Sequence, residues 1–308
     1  VLPLPGVLFA LGACFIWGFI FVVPHFMAGF SSIEIALGRY FVFGIVSSIF
    51  FLKSFFQGAC RYPASIWLKA LFFSLLSTVG YYVFVVLALR YSSPASCALI
   101  LGISPIAITL CGNWRHKEVS FKSLAKPSAL ILIGLVIINI PHLEIATSPA
   151  YYFLGLLFSL FALASWTWFV LANYAFLKQQ PHVHSSDWTT MIGISSLFWV
   201  FLFACALTPL HLFDIKKYFT IHPDLINFII GSTILGVFCS WLGAFLWNKA
   251  SLHLPVSLAG QLTIFETIFG VTFVYLFTHT IPSLQEMIGI LILLSSIIYS
   301  LRQAKIVH

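Results

Sequence analysis

Pro94-Ala95-Ser96-Cys97-Ala98 and Pro255-Val256-Ser257-Leu258-Ala259 each open a long apolar run, and the two stand 161 positions apart. The same shift brings Ser128 onto Gly289, and the apolar runs in between superpose without a gap. A shift of 149 places Trp17 on Trp166 and Phe19 on Trp168. The chain therefore reads as a duplication, and the extra residues of its second half fit the longer, polar connection over 209–225.

What was duplicated is set by solvent. Of the 308 residues, 61% are apolar and 7% charged, whereas a soluble domain carries roughly 25% charged residues. Such a chain has lipid as its solvent, which excludes nucleic-acid binding, secretion and a disulfide scaffold. The six cysteines (Cys14, Cys60, Cys97, Cys111, Cys205 and Cys239) stand singly without a C-x-x-C pair, as small hydrophobes do. A helix needs about 20 apolar residues to cross the hydrocarbon. Ten stretches qualify: 7–24, 33–52, 66–89, 95–113, 127–142, 152–176, 188–208, 226–249, 256–278 and 284–301. The fold class is thus an all-α integral membrane protein of ten transmembrane helices, arranged as two five-helix repeats over 1–145 and 146–308. Pro24, Pro94, Pro141, Pro181, Pro255 and Pro282 fall at or near proposed ends, where a missing N–H costs least, and Pro105 predicts a local break inside a span.

Five is odd, so the repeats cross the membrane in opposite directions. With the N-terminus in the cytoplasm, eleven Lys and Arg flank the cytoplasmic ends of the spans, against Arg90, Lys216 and Lys217 on the other side. The positive-inside rule then places both termini in the cytoplasm and accounts for the net charge of +7 as a topology signal. The first span, long and repeated in the second half, is expected to be retained rather than cleaved. Inverted repeats related by an axis in the membrane plane are a signature of secondary transporters, with the substrate site near the midplane between the halves.

Ile16-Trp17-Gly18 in the first span, Gly38-Arg39-Tyr40 in the second, Pro94-Ala95-Ser96 opening the fourth and Glu266 in the ninth resemble the drug/metabolite transporter superfamily, EamA type. More narrowly, Ala164-Ser165-Trp166-Thr167-Trp168, then Asn173, and Pro181 followed by Trp188 are similar to the aromatic amino acid exporters of the YddG type. The resemblance spans essentially the whole chain. It implies export of amino acids, preferably aromatic, across the plasma (inner) membrane by alternating access, and a monomer that already holds both repeats. Glu118 keeps the place of an acidic residue usual after the fourth span, but His279-Thr280 replaces its counterpart after the ninth.

Glu266 lies eleven residues past Pro255, about 16 Å deep and near the bilayer centre. A lone carboxylate there is costly; it could take a coupling proton, hold a substrate ammonium or cap an interhelical network. Gln261 and Thr263 stand near it on the same span. Arg39 is the one Lys or Arg well inside a span, and Glu34, five residues away and about 140° round the helix, is out of step for an i,i+4 pair. Arg39 therefore pairs between helices or meets a substrate carboxylate. Trp17 and Trp166 occupy equivalent positions in the repeats, Tyr81 and Tyr82 lie mid-span in the third, and Trp241 matches them in the eighth. Such rings could line a cavity that stacks planar groups or cations, or serve as packing and interfacial anchors. Asn173, one heptad beyond Trp166, adds a donor and an acceptor to nearly the same face.

No cofactor is expected. The chain has no G-x-x-x-x-G-K-[ST], H-E-x-x-H or G-x-S-x-G motif, and nothing near His182 and His184 in the sequence completes a metal site. The reading is a transporter of small molecules in a lipid bilayer, with cationic metabolites or drugs as the alternative substrate class and a membrane-embedded enzyme or receptor as a remote one. The topology has a direct test: terminal tags should be reached only from the cytoplasm, and a cysteine placed in 211–222 should label from outside. Labelling there only after the membrane is opened would reverse the assignment.

Overall fold

The computed structural model describes residues 4–56, 62–139, 149–209, 213, 215–219 and 223–306. The proposed repeat boundary at 145, Cys60, Arg61, Pro141, His142, His211 and His222 lie outside the described residues, as do the side chains of Lys216, Arg302 and Lys305. Ten helical stretches are long and apolar enough to cross a membrane. They are span 1 (Leu4–Met27), span 2 (Ser32–Lys53), span 3 (Ala64–Tyr91), span 4 (Ser96–His116), span 5 (Phe121–Asn139), span 6 (Ala150–Gln179), span 7 (Ser185–Leu207), span 8 (Pro223–His253), span 9 (Val256–Thr278) and span 10 (Leu284–Leu301). The described residues contain no strand. Leu8, Leu68, Leu132, Phe153 and Phe201 are exposed on the outside of the bundle, where acyl chains rather than water would meet them.

Among the ends that differ from the expected ones, two have a local cause. The helix of span 5 begins at Phe121 and carries Pro127 inside it; hydropathy places the start later because Lys122 and Lys126 occupy turns that project from the apolar zone. Span 1 continues past Pro24 as the 3₁₀ turns Phe19–Phe21 and Val23–Met27, a winding that tolerates a proline near its start.

The packing repeats under exchange of each span with the one five further along. Span 1 packs on span 8 as span 3 does on span 6, span 1 on span 9 as span 6 does on span 4, and span 2 on span 8 as span 3 does on span 7. Spans 2 and 7, 4 and 9, and 5 and 10 pair with their own counterparts. That is the contact pattern of two repeats related by a two-fold axis. Spans 5 and 10 pack chiefly on each other and brace one side.

The interior spans are discontinuous at related places. Span 3 breaks at Thr78, between helices Ala64–Ser77 and Val79–Tyr91. Its counterpart, span 8, has a π-helical stretch Ile234–Leu242 between Pro223–Thr233 and Gly243–His253. Span 4 breaks at Ile103, as Pro105 predicts, because Pro105 has no N–H for the carbonyl of Leu101. Span 9 breaks at Thr263 without a proline, one repeat length after Gly102. There the Thr263 hydroxyl donates to the Gly260 carbonyl at 2.6 Å.

Spans 4 and 9 meet at the bundle end that bears the chain termini. Ser104–His116 packs against Val256–Leu262, whereas Pro94–Gly102 and Ile264–Thr278 make no comparable contact among the described residues. Gly260 permits the approach, since a Cβ there would stand 2.8 Å from Thr109 Oγ1 and 2.9 Å from its backbone N. Thr109 Oγ1 donates to the Ser257 carbonyl at 3.0 Å. The Glu118 carboxylate then caps span 9, accepting from the N–H of Val256 and of Ser257 at 2.9 Å each and from the Ser257 hydroxyl, where the helix dipole favours negative charge.

At the opposite end the start of span 4 uses its own serine: Ser93 Oγ accepts from the Ser96 N–H at 3.2 Å, and Ser96 Oγ stands 2.7 Å from the Tyr152 hydroxyl. Glu118→Ala should cost about 2 kcal/mol, the loss of charge-assisted bonds at a buried helix start, with Glu118→Gln intermediate. An apparent melting temperature unchanged in detergent for both variants would show that the clamp carries no stability.

Candidate functional site

The breaks in spans 3, 8 and 9 surround the midplane, and the expected site residues gather among them. Trp17 of span 1 and Trp166 of span 6 meet edge to face, with ring centroids 6.3 Å apart and an interplanar angle of 75°. Tyr81 stands 5.7 Å from the Trp166 ring, and Trp247 stands 5.6 Å from the Trp17 ring. The Trp17 indole N–H donates to the Cys239 carbonyl at 2.9 Å, inside the π-helical stretch, where the i→i−4 ladder is interrupted. Gly243 makes room for this, because a Cβ there would lie 2.5 Å from Trp17 Nε1. Span 6 makes the counterpart bond: the Ser165 hydroxyl donates to the Leu76 carbonyl at 2.9 Å, beside the Thr78 break. Each repeat thus sends a side chain into the discontinuity of the other.

Arg39 enters from span 2. Its Nε donates to Ser240 Oγ at 2.8 Å, and Ser240 in turn donates to the Leu235 carbonyl, five residues back, at 3.1 Å. The guanidinium lies 5.2 Å from the Tyr40 ring, and no other hydrogen bond fixes it among the described residues. Glu34 is engaged elsewhere. It accepts from the Ser31 N–H at 2.7 Å and lies 3.4 Å from Lys217 Nζ.

Glu266 sits in the first turn of the second half-helix of span 9, its N–H bonded to the Thr263 carbonyl at 3.0 Å. The break at Thr263 puts Glu266 in the first turn of a helix, a favourable place for negative charge. Arg39 is the charged group whose field acts on Glu266, and both act on Tyr81. Among the described residues nothing hydrogen-bonds the Glu266 carboxylate. Gln261 is buried on the first half of the same span, and its amide likewise lacks a hydrogen bond among the described residues. Arg39, Tyr81, Trp166, Trp17 and Glu266 therefore form one central group.

Three expectations fare differently. Tyr82 faces away from the tryptophans and, with Tyr40, lines a cavity of about 440 Å³ between spans 2, 3 and 7. Asn173 is fully buried, its Oδ1 accepting from the Trp188 indole N–H at 2.7 Å and its Nδ2 donating to Asn248 Oδ1 at 2.9 Å. Asn248 Nδ2 completes the chain by donating to Thr189 Oγ1 at 2.8 Å. This network ties spans 6, 7 and 8 together near the termini-bearing end, which corrects the reading of Asn173 as part of the aromatic wall. Trp241 also stands apart, against Phe50 and Phe245.

Trp247 and Ser240 were not foreseen. Repeat symmetry does not mark Trp247, because Val86 holds the counterpart position; its indole N–H is buried with no acceptor among the described residues. Ser240 gains its role from the π-helical stretch, which sequence periodicity does not reveal. The described residues contain no cluster of three or more His, Cys, Asp or Glu that could hold a metal ion.

Comparison with known proteins agrees with this architecture. Residues 4–140 match the EamA-like transporter family. The inner membrane protein YtfF of Escherichia coli (strain K12) is 28% identical over 310 residues, covering 96% of this chain and 95% of YtfF. A chain solved by crystallography superposes with a TM-score of 0.74 over 96% of this chain and 97% of its own length, at 15% identity, and so speaks to the fold alone. The first five spans thus match the EamA-like transporter family, and the chain over nearly its whole length is similar to an inner membrane protein.

Proposed function

We propose that the protein exports amino acids, aromatic ones by preference, across the plasma membrane by alternating access, with both termini in the cytoplasm. The observation that carries this reading is the meeting of Trp166, Tyr81, Trp17 and Trp247 beside a carboxylate and a guanidinium that come from different repeats. Ring faces suit a planar side chain, Glu266 suits an ammonium, and the terminal nitrogens of Arg39 suit a carboxylate. The Trp247 N–H offers a further donor. Trp17 and Trp166 touch, so a substrate stacks on the outer face of the pair, chiefly on the half-exposed Trp166.

A cationic substrate is the second reading, since aromatic rings and Glu266 would serve it as well. Arg39 argues against it: a fixed guanidinium acting on Glu266 repels a cation and attracts a zwitterion. Spans 4 and 9 support an alternating step, since they pack at one end and make no comparable contact at the other among the described residues. With the termini inside, this arrangement faces outward.

Trp166→Ala should weaken transport of an aromatic amino acid about three- to tenfold, the worth of one stacking contact, and that of alanine less. Trp17→Ala should act in the same direction with an added packing loss, and Trp→Phe at either site should largely preserve transport. Proteoliposome uptake decides it: equal losses for all substrates would mean damaged packing, and normal transport by both Ala variants would remove these rings from the site. If Glu266 carries a coupling proton, Glu266→Gln should abolish pH-driven accumulation while retaining exchange. Unchanged pH dependence in a folded variant would return Glu266 to a structural role.

A further inference from the structure

The cavity between spans 2, 3 and 7 is lined by no residue of the tryptophan cluster and has a chemistry of its own. It measures about 440 Å³, within the range of small-molecule sites. Tyr40 and Tyr82 lie at its inner end, Leu37, Val86 and Leu207 are among its walls, and Arg90 stands at its mouth. Tyr82 and Arg90 are eight residues apart on one helix, which sets a length of about 12 Å.

Arg90 also departs from the charge pattern, being one of three basic residues at the end that the positive-inside rule leaves poor in them. Among these, Lys217 is committed to Glu34 at 3.4 Å and to the Gly29 carbonyl at 2.6 Å. Arg90 is exposed and has no ion pair or hydrogen bond among the described residues; its guanidinium lies only near the ring of its neighbour Tyr91, at 5.8 Å.

No carboxylate of the described residues lines the cavity, and the guanidinium of Arg90 repels a cation, so neither a cation nor the ammonium of a zwitterion has a counter-charge there. A wholly apolar guest would leave Arg90 unused. An anion carried on an apolar body uses both: its head gains a charge-assisted pairing at the mouth, and its body takes the place of acyl chain or water along the walls. We propose that this cavity is a binding site for a monovalent amphipathic carboxylate, with its head on Arg90 and its apolar body, about 12 Å long, reaching Tyr82. The site depends on no residue of the tryptophan cluster, so it stands or falls separately from the amino acid reading.

Titration calorimetry on the protein in phosphatidylcholine nanodiscs, corrected for empty discs, tests it with decanoate, decanol and decyltrimethylammonium. Decanoate should bind most tightly. Arg90→Gln should weaken decanoate about tenfold, the effect of one charge-assisted contact at a half-open mouth, and leave decanol unchanged. Val86→Trp, which fills the cavity, should abolish binding of both, and Leu207→Trp provides the same block from another wall if the first variant fails to fold. Decanoate affinity unchanged in Arg90→Gln and in a folded filling variant would overturn the proposal, as would tighter binding of decyltrimethylammonium. Displacement of decanoate by phosphatidylglycerol added to the discs would make the occupant a lipid headgroup and overturn it as well.

Discussion

Inside a bilayer every backbone N–H and C=O has to find its partner within the protein, and the central group of side chains exists because four spans break that rule locally. Thr78, Ile103, the Ile234–Leu242 stretch and Thr263 interrupt spans 3, 4, 8 and 9. Interrupted ladders expose carbonyls, and the carbonyls draw side chains: Trp17 to Cys239, Ser165 to Leu76, Cys14 to Leu262 at 3.5 Å. These bonds satisfy the breaks and at the same time fix the rings. Trp17 is held by its N–H, so the face it shows to Trp166 is set by the geometry of span 8 rather than by its own helix alone. The half-helix start after Thr263 likewise makes a deep carboxylate at Glu266 less costly. A site of this kind cannot be built on unbroken helices, whose backbone has nothing to offer.

The number and order of the spans, and the repeat that relates them, were legible from hydropathy and self-similarity because both are averages over many residues. Pro105 marked a break because its missing N–H is a property of one residue, whereas the matching break at Thr263 has no such marker and emerged only in the structure. The π-helical stretch left no periodic trace, and Ser240 and Trp247 went unseen with it. Asn173 shows the limit of face arguments. One heptad from Trp166 keeps nearly the same direction, but it moves about 10 Å along the axis, from the open midplane to the end where spans 7 and 8 close over span 6. A face argument leaves depth open, because the neighbours at each depth come from elsewhere in the chain.

The two ends of the bundle are alike in design and unlike in strength. At the termini-bearing end Gly260 faces Thr109, and Gly112 would place a Cβ 2.7 Å from Val256. One repeat length away these positions hold Leu99 and Gly270, and Phe273 and Ala95. Small still stands opposite large with the roles exchanged, so close approach of spans 4 and 9 is sterically open to both ends. In this structure Gly270 is covered by the Phe21 ring instead. The charge is what the ends do not share: Glu118 caps span 9 with three bonds, while His279, its counterpart, is exposed in a left-handed turn with φ of 53°. Since the steric fit is available twice and the carboxylate cap once, the clamped end is favoured by the energy of that cap. If the protein alternates as proposed, a substrate reverses the preference only by binding the other arrangement more tightly by at least as much. On that proposal its contacts in the central group differ between the two states, a requirement that rings and charges contributed by both repeats can meet.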